Sequence, residues 1–162
     1  MRVIGIDPGT ATCGFGIVDA GDGRLTALAH GWWKTRADLA PALRLKTIYD
    51  GVTDLIAEHD PDAVALEESY VGADARIALS VGQARGAVLV AAAAAGIACA
   101  EYPPARVKQA VCGYGRAEKE QVLKMVTAIL HLQDAPTSSH AADALAVAIC
   151  HALAPPLLKV AG

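Results

Sequence analysis

Apolar positions recur with a period of two over the first part of the chain, which predicts β-strands. The run 3–6 is made of strand-forming residues and stops at Asp7, because Pro8-Gly9 cannot continue a central strand. The run 14–18 predicts a second strand that returns beside the first. Its glycines, Gly14 and Gly16, leave little side-chain bulk near Asp7, so we expect that a sizeable group can approach this carboxylate.

A third strand is predicted over residues 24–34, completing an antiparallel meander. Its apolar residues occupy alternate positions of one parity, at Leu25, Ala27, Ala29, Gly31 and Trp33. Trp32 and Trp33 should therefore point to opposite faces of the sheet. We expect one of them in the core and the other available to a partner.

From residue 38 the apolar period becomes helical, and two further strands lie between the helices. Predicted helices cover residues 38–60, 76–95, 106–112 and 117–132, with a last helix starting near residue 139. Short apolar runs at 63–66 and 97–102 predict the remaining strands. The pattern predicts an α/β fold in one domain spanning residues 1–162, with a five-stranded mixed sheet flanked by helices.

Composition excludes a disordered chain, since 54% of the 162 residues are hydrophobic and 19% are charged. The alanine-rich run 86–100 lacks bulk and predicts a tightly packed helix, not a membrane span. Without an N-terminal leader, we expect a cytoplasmic protein and no membrane partner. The cysteines lack metal-ligand spacing and are interpreted as small buried residues, namely Cys13, Cys99, Cys112 and Cys150.

The charge distribution is uneven along the chain, although the net charge is only −3. Residues 1–75 carry six Lys and Arg against twelve Asp and Glu, whereas residues 76–124 carry seven against three. A basic middle segment is compatible with a nucleic-acid face. The candidate contacts in that segment are Arg76, Arg85, Lys108, Arg116 and Lys119.

Acidic residues end two predicted strands and begin the last helix. Asp7 and Glu67 follow apolar runs, and Asp143 lies three residues after His140, on the same helical face. Hard divalent cations prefer such oxygen ligands, and two metals about 4 Å apart can clamp the attacking and leaving oxygens of a phosphoryl transfer. This set therefore predicts a metal-dependent phosphoryl-transfer site.

Several segments occur in the order seen in one known family. GIDPGT with GFG, ALEESY, GQARG, ARVKQAVCGYGRAEKEQV and HAADALAVAI together resemble the RuvC family of crossover-junction endodeoxyribonucleases, over roughly residues 2 to 153. The resemblance implies an RNase H-like fold and cleavage of four-way (Holliday) DNA junctions by paired symmetric nicks. It also implies a homodimer that works with the branch-migration proteins RuvA and RuvB.

The same resemblance implies roles for individual residues. Asp7, Glu67, His140 and Asp143 fall on the metal-binding, catalytic positions. Tyr70 falls on an aromatic residue that contacts DNA, and Lys108 and Lys119 fall on basic residues near the scissile strand. The implied cofactor is Mg²⁺, two ions per site. Because His140 replaces a carboxylate of the family's best-known form, Mn²⁺ is expected to support activity and to be preferred.

Alternatives remain at this stage. Glu68 could replace Glu67 as the ligand, His140 could cap its helix, Tyr70 could be a packed aromatic residue, and the basic residues could form a solvated face. Asp-Pro-Gly-Thr also resembles the phosphate loop of sugar-kinase and actin-like ATPases, although such proteins need two lobes. A junction-binding scaffold without catalysis is a third possibility.

Overall fold

One mixed sheet of five strands organises the computed structural model, which describes residues 1–68 and 74–154. The strands are β1 (Arg2–Asp7), β2 (Thr12–Gly21), β3 (Arg24–Lys34), β4 (Ala63–Glu67) and β5 (Ala98–Tyr102), in the spatial order β3-β2-β1-β4-β5. β1 pairs antiparallel with β2, and β2 with β3. β4 pairs parallel with both β1 and β5, so the predicted mixed sheet is confirmed.

Helices cover both faces of this sheet. They are α1 (Pro41–His59), α2 (Ala75–Ala94), α3 (Pro104–Cys112), α4 (Lys119–Ile129) and α5 (Ser139–Leu153). One buried cluster joins α3, α4 and α5 to the face that carries Val3. A second cluster joins α1 and α2 to the face that carries Ile4. The chain therefore has three layers, and neighbouring residues of β1 face different helices.

Local signals explain where the helices begin. Pro41 and Pro104 occupy the first turns of α1 and α3, where a missing backbone N–H costs nothing. The Asp74 side chain accepts a hydrogen bond from the Arg76 backbone N–H at the start of α2. Glu118 and Gln121 form a reciprocal capping box at the start of α4.

Glycines let α5 lie directly on the middle of the sheet. A Cβ at Gly5 would lie 2.1 Å from the Ala144 carbonyl oxygen, and a Cβ at Gly14 would lie 2.1 Å from that of His140. At Gly16 an added Cβ would meet the Leu145 side chain at 2.7 Å. The expectation that Gly14 and Gly16 leave room for an approaching group is therefore wrong, because α5 fills that room.

The prediction that the alternate apolar residues of the third strand share one face of the sheet is also wrong. The pairing register of β2 and β3 shifts between Ile17 and Val18, which places a bulge at Leu28. Leu25 and Ala27 consequently pack with the α5 layer, while Ala29 and Trp33 pack with the α1 and α2 layer. Side chains along a strand alternate between the two faces of the sheet. The extra residue at the bulge therefore moves residues of the same parity to opposite faces on its two sides.

The two tryptophans of β3 do point to opposite faces, as predicted. Trp33 stacks on Phe15, with 4.8 Å between ring centroids. Trp32 pairs with Gly14 and is 44% exposed. Trp33 is thus the core residue, and Trp32 remains available to a partner.

α2 is much less buried than its alanine content predicts. By length and composition it could cross a membrane, yet only 22% of its most apolar window is buried. Its buried residues are Ala84, Val88, Ala91 and Ala92. Within the described residues of the single chain, much of its apolar surface therefore faces outward, and the tight packing expected for this helix stays a prediction.

Candidate active site

The candidate site lies at the end of the sheet where β1 and β4 stop. In their parallel pairing, Ile6 lies beside Leu66, so Asp7 and Glu67 follow as neighbours on one face. Asp7 also pairs with Gly14, and Gly14 pairs with Trp32. Four residues therefore lie side by side across neighbouring strands, in the order Glu67, Asp7, Gly14 and Trp32. We call these four positions the acid row, after the two acids at one end. Alternation of side chains places all four positions on the face that α5 covers.

α5 brings two further groups to the acid row. Its first turn contacts Gly14 through the backbone of His140. The His140 Nδ1 atom lies 2.7 Å from the Asp7 Oδ2 atom, which is hydrogen-bond distance. When Asp7 is ionised, the Nδ1–H group of His140 donates this bond. The side chain of His140 is therefore directed at Asp7, which disfavours the helix-capping alternative.

The carboxylates are close enough to oppose one another's ionisation. Burial, the largest cause, and the neighbouring Asp7 and Asp143 raise the pKa of Glu67 to about 7. Burial also raises the pKa of Asp7, which the hydrogen bond from His140 partly offsets and Asp143 reinforces. Each of these carboxylates therefore lies in a partly desolvated space that favours an added positive charge.

Two lysines supply part of that positive charge. The Lys119 Nζ atom lies 3.2 Å from the Asp143 Oδ2 atom, and this contact raises the pKa of Lys119. Lys108 lowers the pKa of Glu67 through its charge. Both lysines line a cleft of about 210 Å³ with Glu67 and Asp143. The acidic cluster is thus bordered on its α3 and α4 side by two cations.

The donor set fits hard divalent cations in its chemistry. Within residues 1–68 and 74–154, no group of three His, Cys, Asp or Glu side chains is already positioned to coordinate a metal ion. His140 contacts Asp7 Oδ2 and Lys119 contacts Asp143 Oδ2, and each carboxylate has a second oxygen that could bind a metal. After burial, the charges of Asp7 and Asp143 contribute to the raised pKa of Glu67, and Lys119 pairs with Asp143, so the local charge favours a bound cation.

The remaining predicted site residues lie at different distances from the acids. Arg76 shares a cleft of about 390 Å³ with His140 and the turn that follows β1. Arg116 is exposed in the loop between α3 and α4. Arg85 forms an ion pair with Glu101 on the α2 side of the sheet, away from the acid row. Its DNA contact stays a prediction that its position does not favour. Tyr70 lies outside the described residues.

Glu68 does not share the position of Glu67. It follows the last residue of β4, is exposed, and its backbone N–H donates a hydrogen bond to the Tyr102 carbonyl oxygen. Alternation along the strand directs it away from the face that carries Asp7. Glu67 is therefore the better candidate ligand.

Sequence reasoning missed a set of hydroxyl contacts that holds the turn after Asp7. The Thr10 and Ser80 hydroxyl groups are hydrogen-bonded, which joins this turn to α2. Thr35 donates to the Thr10 carbonyl oxygen at 2.5 Å and accepts from Arg44 Nε at 2.9 Å. These residues are far apart in sequence and follow no motif, so only the fold reveals that they are partners.

Sequence comparisons place the chain among crossover-junction nucleases. A family model described as crossover junction endodeoxyribonuclease RuvC matches residues 3–151. The RuvC of Heliobacterium modesticaldum is 51% identical over 150 residues, which cover 93% of each chain. That of Syntrophomonas wolfei is 52% identical over 151 residues, covering 93% of this chain and 88% of the relative.

Solved structures agree with this placement. The chain is similar to Thermus thermophilus RuvC in complex with Holliday junction substrate, with a TM-score of 0.89, 42% identity, and coverage of 94% and 93% of the two chains. The yeast mitochondrial Holliday junction resolvase, at 12% identity and a TM-score of 0.66, shares the fold. The expected RNase H-like fold is confirmed. The chain belongs to the RuvC family of crossover junction endodeoxyribonucleases.

Proposed function

We propose that this protein resolves four-way DNA junctions by hydrolysing one phosphodiester bond in each of two symmetric strands. The observation that carries the proposal is the convergence of Glu67, Asp7 and Asp143 on one face of the sheet, with His140 bonded to Asp7. A phosphodiester is hydrolysed when water attacks phosphorus and the 3′ oxygen leaves with a proton. The products are a 5′-phosphate and a 3′-hydroxyl, which can be rejoined.

The chain's own residues have separable tasks in this proposal. Asp7, Glu67, Asp143 and His140 hold divalent cations, which when bound polarise the phosphate and lower the pKa of water. Lys108 and Lys119 border the same cleft and contact the non-bridging oxygens of the scissile phosphate. His140 orients the carboxylate of Asp7 through its Nδ1 contact. Tyr70 and Arg76 contact the DNA next to the cut.

The RuvC family depends on divalent metals, and the choice of metal is part of the proposal. We propose two ions per site, which Asp7, Glu67, Asp143 and His140 would hold and which would stabilise the charge that develops at the scissile phosphate. Mg²⁺ supports the reaction, and Mn²⁺ is preferred. The reason is that an imidazole ligand suits transition ions better than Mg²⁺, which takes carboxylate and water oxygens.

A homodimer is also proposed, and the outward face of α2 supports it. Leu79 and Val90 are 65% and 60% exposed on this face. Gly82 and Gly86 lie between them, one turn apart, and a Cβ at either would meet nothing within 4 Å. Glycines one turn apart let a second helix approach closely. Two copies related by a two-fold axis would present two sites to the symmetric strands of a junction.

The cellular setting follows from the substrate. Four-way junctions arise in recombination and repair of the chromosome, so we assign the protein to the cytoplasm of a bacterial cell. There it would act on junctions that RuvA and RuvB bind and move.

The decisive experiment measures cleavage of a labelled four-way junction with Mg²⁺, with Mn²⁺ and with chelator. Wild type should release paired, ligatable duplex products only with a metal. Asp7→Asn, Glu67→Gln and Asp143→Asn should each lower cleavage by roughly 10³-fold or more while retaining junction binding. Binding without cleavage by wild type in both metals would show a scaffold and overturn the proposal. Full activity in any one variant would remove that residue from the site.

A further inference from the structure

Trp32 is a large apolar side chain left exposed in the acid row. It is 44% exposed, whereas the adjacent Trp33 is packed on Phe15. The exposed part of an indole ring offers both an apolar face and an N–H group for contact with a partner. Its position suggests one, because the row that carries it also carries Asp7 and Glu67.

The distance between Trp32 and the acids matches a short stretch of DNA. Two strand spacings separate β1 from β3, which is about 10 Å in the hydrogen-bonding direction. A nucleic-acid strand rises about 3.4 Å per nucleotide, so about three nucleotides span this distance. A strand whose scissile phosphate lies at Asp7 can therefore reach Trp32.

The surface between the two positions is formed by the first turn of α5. His140 lies over Gly14, between Asp7 and Trp32, and its side chain is 45% exposed. Ser139, the first residue of α5, is exposed beside it. A helix N-terminus favours phosphate, so the path from the acids to Trp32 crosses a surface compatible with the DNA backbone.

Charge along β3 favours the same occupant. The strand RLTALAHGWWK contains no acid, although residues 1–75 as a whole carry twice as many acidic as basic residues. Lys34 and His30 share the face of Trp32, because they pair with Thr12 and Gly16 of β2 on either side of Gly14. Both are exposed. An indole flanked by a cation and an imidazole is typical of a surface that stacks on bases and contacts phosphates.

We propose that Trp32, with Lys34, forms a DNA-contacting wall on the β3 side of the active site, which engages the cleaved strand within about three nucleotides of the scissile phosphate. This inference rests on the proposed junction-cleaving function. Trp32 would act by adding affinity for the strand beside the acids. It contacts the strand away from the scissile phosphate, so its loss should raise KM and leave kcat little changed.

The kinetic test compares Trp32→Ala, Trp32→Phe and wild type on a labelled junction. Trp32→Ala should weaken junction binding about five- to thirtyfold, as loss of one base-stacking contact does, with kcat within about twofold. Trp32→Phe should retain most of the affinity, because a smaller ring still stacks. Leu43→Ala is the matched control, since Leu43 is 51% exposed on α1, which lies on the other face of the sheet. It should behave as wild type.

A photochemical test locates the contact directly. Junctions carrying 5-iododeoxyuridine at successive positions around the cut are irradiated in complex with the Asp7→Asn variant, and the joined residue is identified by mass spectrometry. Trp32 should crosslink from positions within about three nucleotides of the cut. Trp33 is an internal control of identical chemistry on the opposite face, and it should not crosslink.

The outcomes separate this inference from the proposed function. If wild type cuts junctions while Trp32→Ala binds them equally well and no crosslink forms at Trp32, only the DNA wall is overturned. If Trp32→Ala changes the oligomeric state but not junction affinity, the exposed ring covers a protein surface and the inference is wrong. A wild-type protein that neither binds nor cuts junctions would overturn both proposals. Lys34→Ala should also reduce the salt dependence of binding.

Discussion

His140 is the residue at which this site differs most in chemistry from an all-carboxylate one. Its Nδ1 atom is 2.7 Å from Asp7 Oδ2, so it can orient Asp7, bind a metal, or do both. Wild type should therefore work better with Mn²⁺ than with Mg²⁺, and His140→Asp should gain about tenfold in Mg²⁺ affinity. The measurement is kcat/KM on junction substrate across a titration of each metal.

A control variant separates the two roles of His140. His140→Asn keeps an N–H donor for Asp7 but removes the imidazole ligand. If His140 binds the metal, His140→Asn should lose the preference for Mn²⁺ together with activity. An unchanged metal preference in both variants would show that His140 only positions Asp7.

The pKa of Glu67 makes the stability of the metal-free protein depend on pH. Burial and the neighbouring carboxylates raise this pKa from 4.5 in the unfolded chain to about 7. The folded state thus holds the Glu67 proton more tightly, so the associated stability is present below pH 4.5 and is lost as pH rises through about 7. Because Glu67 is only half-buried, solvent screening reduces the effect to about 1–2 kcal/mol.

Thermal unfolding with chelator between pH 5 and pH 8 measures this effect. Wild type should lose stability across the range, and Glu67→Gln should lose less of it. The control is Glu68→Gln, which changes the exposed neighbouring carboxylate and should follow wild type. Adding a divalent cation should restore stability at the alkaline end, because the metal binds ionised carboxylates. Parallel curves for wild type and Glu67→Gln would contradict the assignment.

At the scale of elements, replacing a glycine of α2 should stabilise a monomer but destabilise a dimer that associates through this helix. In a monomer, Gly86→Ala should stabilise α2 by about 0.5–1 kcal/mol, since alanine is the better helix former and the new Cβ meets nothing within 4 Å. If Gly86 instead lies against a second copy, the same methyl group should separate the helices. The dimer should then dissociate more readily and unfold at lower temperature.

Analytical ultracentrifugation and thermal unfolding over a range of protein concentrations distinguish these outcomes. Ala57→Gly on the exposed side of α1 calibrates the effect of helix propensity, and it should destabilise the chain without changing its mass in solution. A Gly86→Ala protein that is more stable than wild type and equally dimeric would place the interface elsewhere.

The elements themselves were largely predictable from the sequence, whereas their partners were not. Apolar runs that end in Asp7 and Glu67 are local signals, and so is the change to helical period after residue 38. The bulge at Leu28 depends on how two strands pair, and no local pattern records it. The surface that covers α2 could not be identified from the sequence, because hydropathy reports how apolar a helix is and not what packs against it.

The acids of the site could be predicted from the sequence, whereas the contacts of His140 and Trp32 could not. Asp7, Glu67 and Asp143 were found as acids at element ends, and the family resemblance grouped them. The contact of His140 with Asp7 and the position of Trp32 in the acid row needed the register of three strands and the close approach of α5. Both features depend on Gly14, which has no side chain and so lets α5 approach. The sequence shows this glycine but not that His140 lies against it.

At the scale of the whole molecule, the sheet separates the acids from the proposed dimer surface. Asp7, Glu67 and Asp143 lie in the layer of α3, α4 and α5, whereas α2 lies in the opposite layer. Association through α2 would therefore leave the acids of both copies uncovered. Two open sites in one particle are what paired cleavage of a two-fold junction requires.

A heterodimer with one inactive site tests this arrangement. Wild type and Asp7→Asn chains carrying different affinity tags are co-expressed, and the mixed dimer is isolated through both tags. Each site acts on one strand, so the mixed dimer should nick a junction once and stop, because Asp7→Asn removes one carboxylate of the second site without removing its DNA contacts. Denaturing gels should then show cleaved single strands, while native gels show junctions that are nicked but not separated into duplexes. The tagged wild-type dimer, purified in the same way, should release duplex products. If the mixed dimer also releases duplexes at the wild-type rate, one site cuts both strands in turn, and the assignment of one site to each strand is wrong.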